Sequence, residues 1–214
     1  RDVRDTANTL TALYVNSADC TIEGLTIEGA ADGTGETRAV YVCYNTVTIR
    51  YNAIIGGNGT SSTGIYTNNN YNGPNTIEYN TIDGGGGDAS CAVHATLQNS
   101  LRLYGNIITG GSGNPGYGVQ VRQGSQGYIY NNIIHKGSGI TGNAVRSYNT
   151  GATMVIRNNT IDCGSATAGT KHGVYIFMST PVIENNIIVS FAGGTVYGIY
   201  ESGADSDPVS IKNN

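Results

Sequence analysis

The side chains best suited to bind a charged ligand recur once per repeat in the middle of the chain. His94, Gln120 and Arg146 follow one another at intervals of 26 residues, and Arg122 and Tyr148 share that interval two positions later. A guanidinium group holds a carboxylate through two parallel hydrogen bonds, so the pattern predicts a site for an anionic ligand such as a carboxylate-bearing sugar. The alternative is that these residues are ordinary solvated side chains on the face of a sheet.

Two lysines and a recurrent set of tyrosines extend this candidate site. Lys136 and Lys171 fall in predicted adjoining loops and would add positive charge. Tyr41, Tyr66 and Tyr175 occupy the same repeat position as His94, and a tyrosine ring offers a sugar a flat apolar face with a polar tip. Tyrosine is also a favoured strand residue, so stacked rings that only stabilise neighbouring repeats are the alternative interpretation.

Carboxylates are missing from these two recurrent positions. A glycosidase that works with two carboxylates therefore has no obvious place there. An elimination reaction would instead use Arg122 or Arg146 to neutralise a uronate and His94 or Tyr148 to take the proton. The pattern favours binding over catalysis, with a lyase as the enzymatic alternative.

The interval of these residues is the period of an internal repeat, written I-x-x-N-x-I. A second motif, small-apolar-x-apolar, keeps step with it in segments such as AVYV, GIYT and GVQV. The spacings of the landmark residue range from 26 to 28 and average 27. The landmarks are Asn52, Asn80, Asn106, Asn132, Asn159, Asn186 and Asn214, preceded by a degenerate copy at Leu25.

Each repeat holds three short stretches of alternating apolar residues, separated by Gly, Asn, Ser and Pro. A strand this short must stack on its equivalents, and a 27-residue repeat with three strands has no room for a crossover helix. The sequence therefore predicts an all-β solenoid of about eight coils. The apolar residues of the second motif would point inward, and the residues between them would form columns on the surface.

Amino-acid composition limits the classes of molecule that the protein is expected to bind. A net charge of −4, a pI near 5.2 and no run of Lys or Arg argue against nucleic acid, and no apolar stretch is long enough to insert into a membrane. The four cysteines lack metal-ligand spacing, and a Cys20–Cys43 disulfide and unpaired thiols are both compatible with the repeat. No metal and no cofactor are predicted. Sparse charge with abundant Asn, Thr, Ser, Gly and Tyr is typical of an extracellular or cell-surface protein.

Across essentially the whole chain, the G-I-Y-x and I-x-x-N-N-x-I motifs resemble the pectin-lyase-like superfamily of right-handed parallel β-helices. The resemblance implies a right-handed coil and an asparagine ladder at the bend between the second and third strands. We expect the landmark Asn residues to adopt the left-handed backbone conformation there. The N-T-D and G-H-G motifs of the superfamily's hydrolases are missing, and its lyases, hydrolases and surface proteins share one fold, so the resemblance implies no single activity.

These observations predict one β-helix domain over residues 1–214, without visible caps and compatible with a piece of a longer chain. The leading functional hypothesis is polysaccharide binding, with an acidic chain favoured, along the exposed face of the G-I-Y-x strands. One alternative is a polysaccharide lyase that acts by β-elimination on uronate-containing glycans. Another is a structural or adhesive protein whose copies stack head to tail into filaments.

Overall fold

Alternating Ile, Val and Thr residues form short strands throughout a computed structural model, which describes residues 4–6, 9–31, 34–43, 46–68, 73–97, 100–150, 154–191 and 193–214. The described residues contain no helix that is long and apolar enough to cross a membrane. Their strands, in chain order, are β1 (Arg4–Thr6), β2 (Thr9–Val15), β3 (Thr21–Glu23), β4 (Thr26–Glu28), β5 (Glu36–Val42), β6 (Thr48–Arg50), β7 (Ala53–Ile55), β8 (Ser61–Asn68), β9 (Pro74–Glu78), β10 (Thr81–Asp83), β11 (Ala89–Thr96), β12 (Ser100–Tyr104), β13 (Ile107–Thr109), β14 (Gly116–Arg122), β15 (Gly127–Tyr130), β16 (Ile133–His135), β17 (Gly142–Tyr148), β18 (Met154–Arg157), β19 (Thr160–Asp162), β20 (Thr170–Phe177), β21 (Val182–Glu184), β22 (Ile187–Val189), β23 (Thr195–Ser202) and β24 (Ser210–Lys212).

From β2 onward the strands cycle through three parallel sheets. The first sheet contains β2 and every third strand to β23, the second runs from β3 to β24, and the third runs from β4 to β22. β1 is the exception, because it pairs antiparallel with β2 at the edge of the first sheet. The predicted all-β coil of three strands is confirmed. The described residues form seven complete coils and the first two strands of another, where the sequence predicted about eight coils.

The core lies inside the coil and consists of aliphatic columns. Ile54, Ile82, Ile108, Ile134 and Ile161 lie in register across the third sheet, and all five are fully buried. Each such side chain contributes about 1.5 to 3 kcal/mol by leaving water. All four cysteines are unpaired, so the Cys20–Cys43 disulfide is not formed.

The landmark asparagines form the predicted internal ladder between the second and third sheets. The Asn132 side-chain amide donates to the Leu103 and Tyr130 carbonyl oxygens, at 2.9 and 3.1 Å, and to Asn159 Oδ1 at 3.1 Å. Asn132 Oδ1 accepts from the backbone N and the Nδ2 of Asn106, at 2.9 and 3.0 Å. The same pattern runs from Asn52 to Asn214, so each interior amide is satisfied by the coils on both sides.

The left-handed residue of this bend is not the landmark Asn but the residue before it. Tyr51 and Tyr79 have φ of 54°, and Asn131 and Asn158 have φ of 57° and 58°. The expectation for the landmark itself was wrong because its side chain must point inward to the ladder. The preceding residue makes the turn and carries its side chain outward.

The small residue of the second motif breaks the alternation of the first-sheet strands. Ala39 and Val40 are consecutive and both fully buried, so Arg38 and Tyr41 face outward three residues apart. Space at this position is tight: a Cβ on Gly64 would lie 2.7 Å from the Ala92 carbonyl oxygen and 2.9 Å from Ile82 Cγ2. The motif's small residue therefore sets which side chains reach the outer face on each side of it.

Lys136 and Lys171 are fully buried and do not belong to the surface patch that the sequence predicted. Lys171 lies in β20, in the column that Gly142 occupies one coil earlier. Its Nζ donates to the carbonyl oxygens of Ala166, Ala168 and Gly193, and Lys136 Nζ donates to Gly139 O. Neither ammonium group forms an ion pair with a described carboxylate. Backbone carbonyls, rather than acidic side chains, stabilise both groups.

We expect Asn132→Ala to lower the free energy of unfolding by about 2 to 4 kcal/mol, because it leaves buried donors and acceptors of neighbouring coils without partners. Urea denaturation would measure the loss. Asn131→Gly is the matched control, since Asn131 is exposed and glycine accepts its backbone conformation. Equal effects of the two substitutions would contradict the structural role of the ladder.

The pKa of Lys136 is lowered from its usual 10.5 to about 8, first by burial and then by the charge of Lys171. Between those two values the unfolded chain binds more protons than the folded chain, so this residue's contribution to stability rises with pH, by about 1.4 kcal/mol per unit of pKa difference. We expect the stability of the wild type relative to Lys136→Met to increase between pH 7.5 and 10 in urea denaturation. A difference that stays constant with pH would refute it.

Candidate functional site

The structure places six of the eight predicted binding residues in one column on the outer face of the first sheet. Strand pairing brings them into register on successive coils, in the order Tyr14, Tyr41, Tyr66, His94, Gln120, Arg146, Tyr175 and Tyr200. Arg122 and Tyr148 are paired in the neighbouring column. Most of these side chains are half-buried by their neighbours, and Gln120 is only 5% exposed.

A further outward column was missed by the sequence reasoning. Arg38, Cys91, Tyr117, Asn143 and His172 lie in it, three residues before the Tyr and Arg column. Simple alternation from Tyr41 predicts that Arg38 points inward. The two consecutive buried residues at the small position reverse that assignment.

A cavity of about 270 Å³ opens on this face at the centre of the sheet. Four of the predicted residues line it, together with Glu36 and with Cys91 and Tyr117 from the column described above. Its lining residues are Glu36, Ser61, Ser62, Thr63, Ala89, Ser90, Cys91, His94, Tyr117, Gln120, Arg122 and Arg146.

Aromatic rings hold the two central arginines in place. The Arg146 guanidinium lies 4.7 Å from the Tyr148 ring centroid and 5.6 Å from that of Tyr175, and its Nη1 donates to the Tyr117 hydroxyl at 3.3 Å. Arg122 lies 5.1 Å from the Tyr148 ring. Cation–π contacts of this kind position a guanidinium without neutralising its charge.

The positive charge of these arginines is not balanced by protein carboxylates. Within the described part of the chain, neither Arg122 nor Arg146 forms an ion pair. The Nε atoms of both are buried without a hydrogen-bond partner among the described residues. Both residues line the cavity and are only partly buried, so the rest of each guanidinium group, and not the enclosed Nε, can meet a bound acceptor.

Glu36 is the carboxylate among the cavity's lining residues, and Arg38 engages it. Arg38 Nη2 donates to Glu36 Oε2 at 2.5 Å, and the Arg38 guanidinium lies 4.1 Å from the Tyr66 ring centroid. A lone carboxylate held by an arginine does not provide the pair that glycoside hydrolysis uses.

His94 is neutral in this setting. Burial, followed by the charges of Arg122, Arg38 and Arg146, lowers the pKa of His94 from 6.5 to about 3. Its Nε2 is buried without a partner among the described residues, and its ring meets Tyr66 edge-on at 5.0 Å. An imidazole with this pKa is a poor general base near neutral pH, but it can still form hydrogen bonds to a ligand.

Aromatic side chains flank the cationic cavity on both sides along the coil axis. Tyr14, Tyr41 and Tyr66 make successive edge contacts with centroids 5.2 Å apart. At the other side Tyr148 stacks on Phe177 at 4.8 Å, and Tyr175 stacks on Tyr200 at 5.7 Å. The face is therefore an aromatic strip with a positive centre.

The family model described as right handed beta helix region matches residues 63–214, most of the chain and five of its seven complete coils. Neither the search of the curated proteins nor that of the solved structures returned a match. The repeated coils, the three parallel sheets and this match together show that the chain belongs to the right-handed β-helix family.

Proposed function

We propose that this protein is an extracellular or cell-surface module that binds an acidic polysaccharide along the outer face of its first sheet. The observation that carries the proposal is the pair Arg122 and Arg146, which line the cavity and form no ion pair with a described carboxylate. A carboxylate of the ligand would complete both guanidinium groups.

The shape of the face favours an extended ligand over a small anion. Aromatic rings continue on both sides of the cavity, and each coil advances about 4.8 Å, so the column from Tyr41 to Tyr175 spans about 24 Å. Successive sugar rings packed on Tyr41, Tyr66 and Tyr175 would carry the chain across the arginines.

The same residues favour binding over cleavage by His94, and Tyr148 is the other candidate base for an elimination. An elimination reaction needs a base whose pKa lies near the working pH, and the pKa of His94 is about 3. Glu36 is held by Arg38 and has no carboxylate beside it among the residues that line the cavity. The residues that line the cavity therefore include groups that can hold a uronate and lack the carboxylate pair that hydrolysis uses.

We expect Arg146→Ala and Arg122→Ala each to weaken binding of polygalacturonate about tenfold or more, because each removes charge-assisted hydrogen bonds. Isothermal titration calorimetry would measure the affinity, with absorbance of unsaturated uronates followed in parallel. Arg157→Ala is the control, since Arg157 lies on the second sheet and donates to Glu184 Oε2 at 2.7 Å. Similar losses in all three variants would sink the proposal, and a rise in absorbance would establish a lyase instead.

Tyr175→Ala tests the aromatic part of the face. It removes a ring that stacks on Tyr200 and contacts the Arg146 guanidinium, so we expect weaker binding of long chains with little effect on a uronate monosaccharide. Equal affinity of long and short ligands for the wild type would count against an extended site.

The affinity should stay constant between pH 5 and 8. Burial and the neighbouring arginines keep His94 neutral throughout this range, because its pKa of about 3 lies below it. Titration calorimetry at four pH values would check this. A binding midpoint near pH 6.5 would show that His94 titrates normally and that its environment differs from the one described.

A further inference from the structure

A second row of tyrosines lies outside the second sheet, away from the cationic cavity. We name Tyr51, Tyr79, Tyr104 and Tyr130 the second-sheet strip. The Tyr51 and Tyr79 rings are stacked with centroids 5.5 Å apart, Tyr79 meets Tyr104 edge-on at 5.1 Å, and Tyr104 lies 4.8 Å from Tyr130. The strip is continuous across four coils, or about 14 Å along the axis.

Two of these tyrosines occupy a backbone conformation that disfavours them. Tyr51 and Tyr79 both have φ of 54°, in the left-handed region that glycine and asparagine tolerate best. The other coils have Gly or Asn at this position: Gly24, Gly105, Asn131, Asn158, Asn185 and Asn213. Tyrosine here costs stability, and burial does not offset the cost, because Tyr51 is 59% and Tyr79 43% exposed.

Gly105 allows the strip to pass from one column to the next. A Cβ at Gly105 would lie 2.8 Å from Tyr79 Cε1, so the Tyr79 ring occupies the space that a side chain would fill. From there it reaches Tyr104, and a hydrogen bond with the Tyr104 side chain is the main cause that raises the pKa of Tyr79 to about 12. The rings form one surface although they come from two columns.

An arginine without a described carboxylate partner lies beside the strip, in the strand that contains Tyr104. Arg102 pairs in register with Tyr128, and these two residues and Tyr130 line a cavity of about 250 Å³. The other arginines of the second sheet are paired, Arg50 with Glu23 at 2.6 Å and Arg157 with Glu184 at 2.7 Å. Within the described residues Arg102 has no such partner, so the cavity is complementary to an anionic group.

We propose that the second-sheet strip is a separate glycan-binding surface, on which pyranose rings pack against Tyr51, Tyr79 and Tyr104 while an acidic substituent of the sugar chain is held at Arg102. The exposed parts of the Tyr51 and Tyr79 rings suit the apolar side of a pyranose, and phenol hydroxyls suit its hydroxyl groups. The site shares no residue with the first-sheet cavity, so either surface can bind without the other.

The test uses the full chain with Arg122→Ala and Arg146→Ala in place, which removes the first-sheet site from the readout. The probes are soluble oligosaccharides, one neutral and one containing uronic acid, measured by isothermal titration calorimetry. We expect the background variant to bind both, Tyr51→Asn with Tyr79→Asn to weaken both at least tenfold, and Arg102→Ala to abolish the preference for the acidic probe. Ile187→Asn, which changes an exposed apolar residue of the third sheet, is the control and should leave binding unchanged.

Thermal unfolding separates a binding role from a structural one. Asparagine suits the left-handed conformation, so we expect the Tyr51→Asn and Tyr79→Asn variants to unfold at the same or a higher temperature than their parent. A lower unfolding temperature with unchanged glycan binding would overturn the proposal and make the rings a structural stack. Binding of a proline-rich peptide probe without binding of either oligosaccharide would also overturn it. If the background variant with Arg122→Ala and Arg146→Ala already fails to bind both oligosaccharides, the first-sheet proposal stands and this one is refuted.

Discussion

The hydrogen bonds of the asparagine ladder depend on coils of nearly equal length that lie directly above one another. The side-chain amide of each interior Asn donates hydrogen bonds to carbonyl oxygens of its own coil and the preceding coil, and to the Asn of the following coil. A buried amide without these partners lowers the stability of the fold. A shift of one residue in any coil would therefore break hydrogen bonds at the bend and destabilise the protein. The ladder thus fixes the register that the three sheets share, and everything displayed on the surface inherits that register.

Because the coils are in register, residues that occur once per repeat lie next to one another in rows. Side chains of the same charge or chemical type are thereby brought together on the surface. Arg122 and Arg146 come from consecutive coils, and like charges this close repel each other. Tyr148 lies within cation–π distance of both guanidinium groups, which offsets part of that repulsion without supplying a negative charge. The protein can therefore keep a positive cavity on a chain whose net charge is −4. Lys136 and Lys171 are satisfied differently, by inward backbone carbonyls, and contribute nothing to that surface.

The repeat period was sufficient to predict the coil, the ladder and the column from Tyr41 to Tyr175, because a period-two strand leaves little freedom once one inward residue is known. It failed where the backbone departs from that alternation. Ala39 and Val40 both point inward, so Arg38 and Glu36 reach the face by a change of parity that residue types alone do not reveal. The burial of Lys171 was missed for a related reason, since a long charged side chain is rarely buried in a column whose preceding members are Ser62, Ser90, Gly116 and Gly142.

The two aromatic surfaces differ in how their tyrosines affect the stability of the fold. On the first sheet, tyrosine is a favoured strand residue at an ordinary backbone conformation, so Tyr41 and Tyr66 are compatible with a purely structural role as well as with binding. On the second sheet, Tyr51 and Tyr79 lie at turn positions where the remaining coils have glycine or asparagine, and they stay 59% and 43% exposed. Stacking between the rings recovers part of that cost, but burial recovers little of it. Residues that oppose the local backbone preference are found more often at functional sites than residues that the local preference already favours. Tyr51 and Tyr79 are therefore better evidence for a binding role than Tyr41 and Tyr66 are.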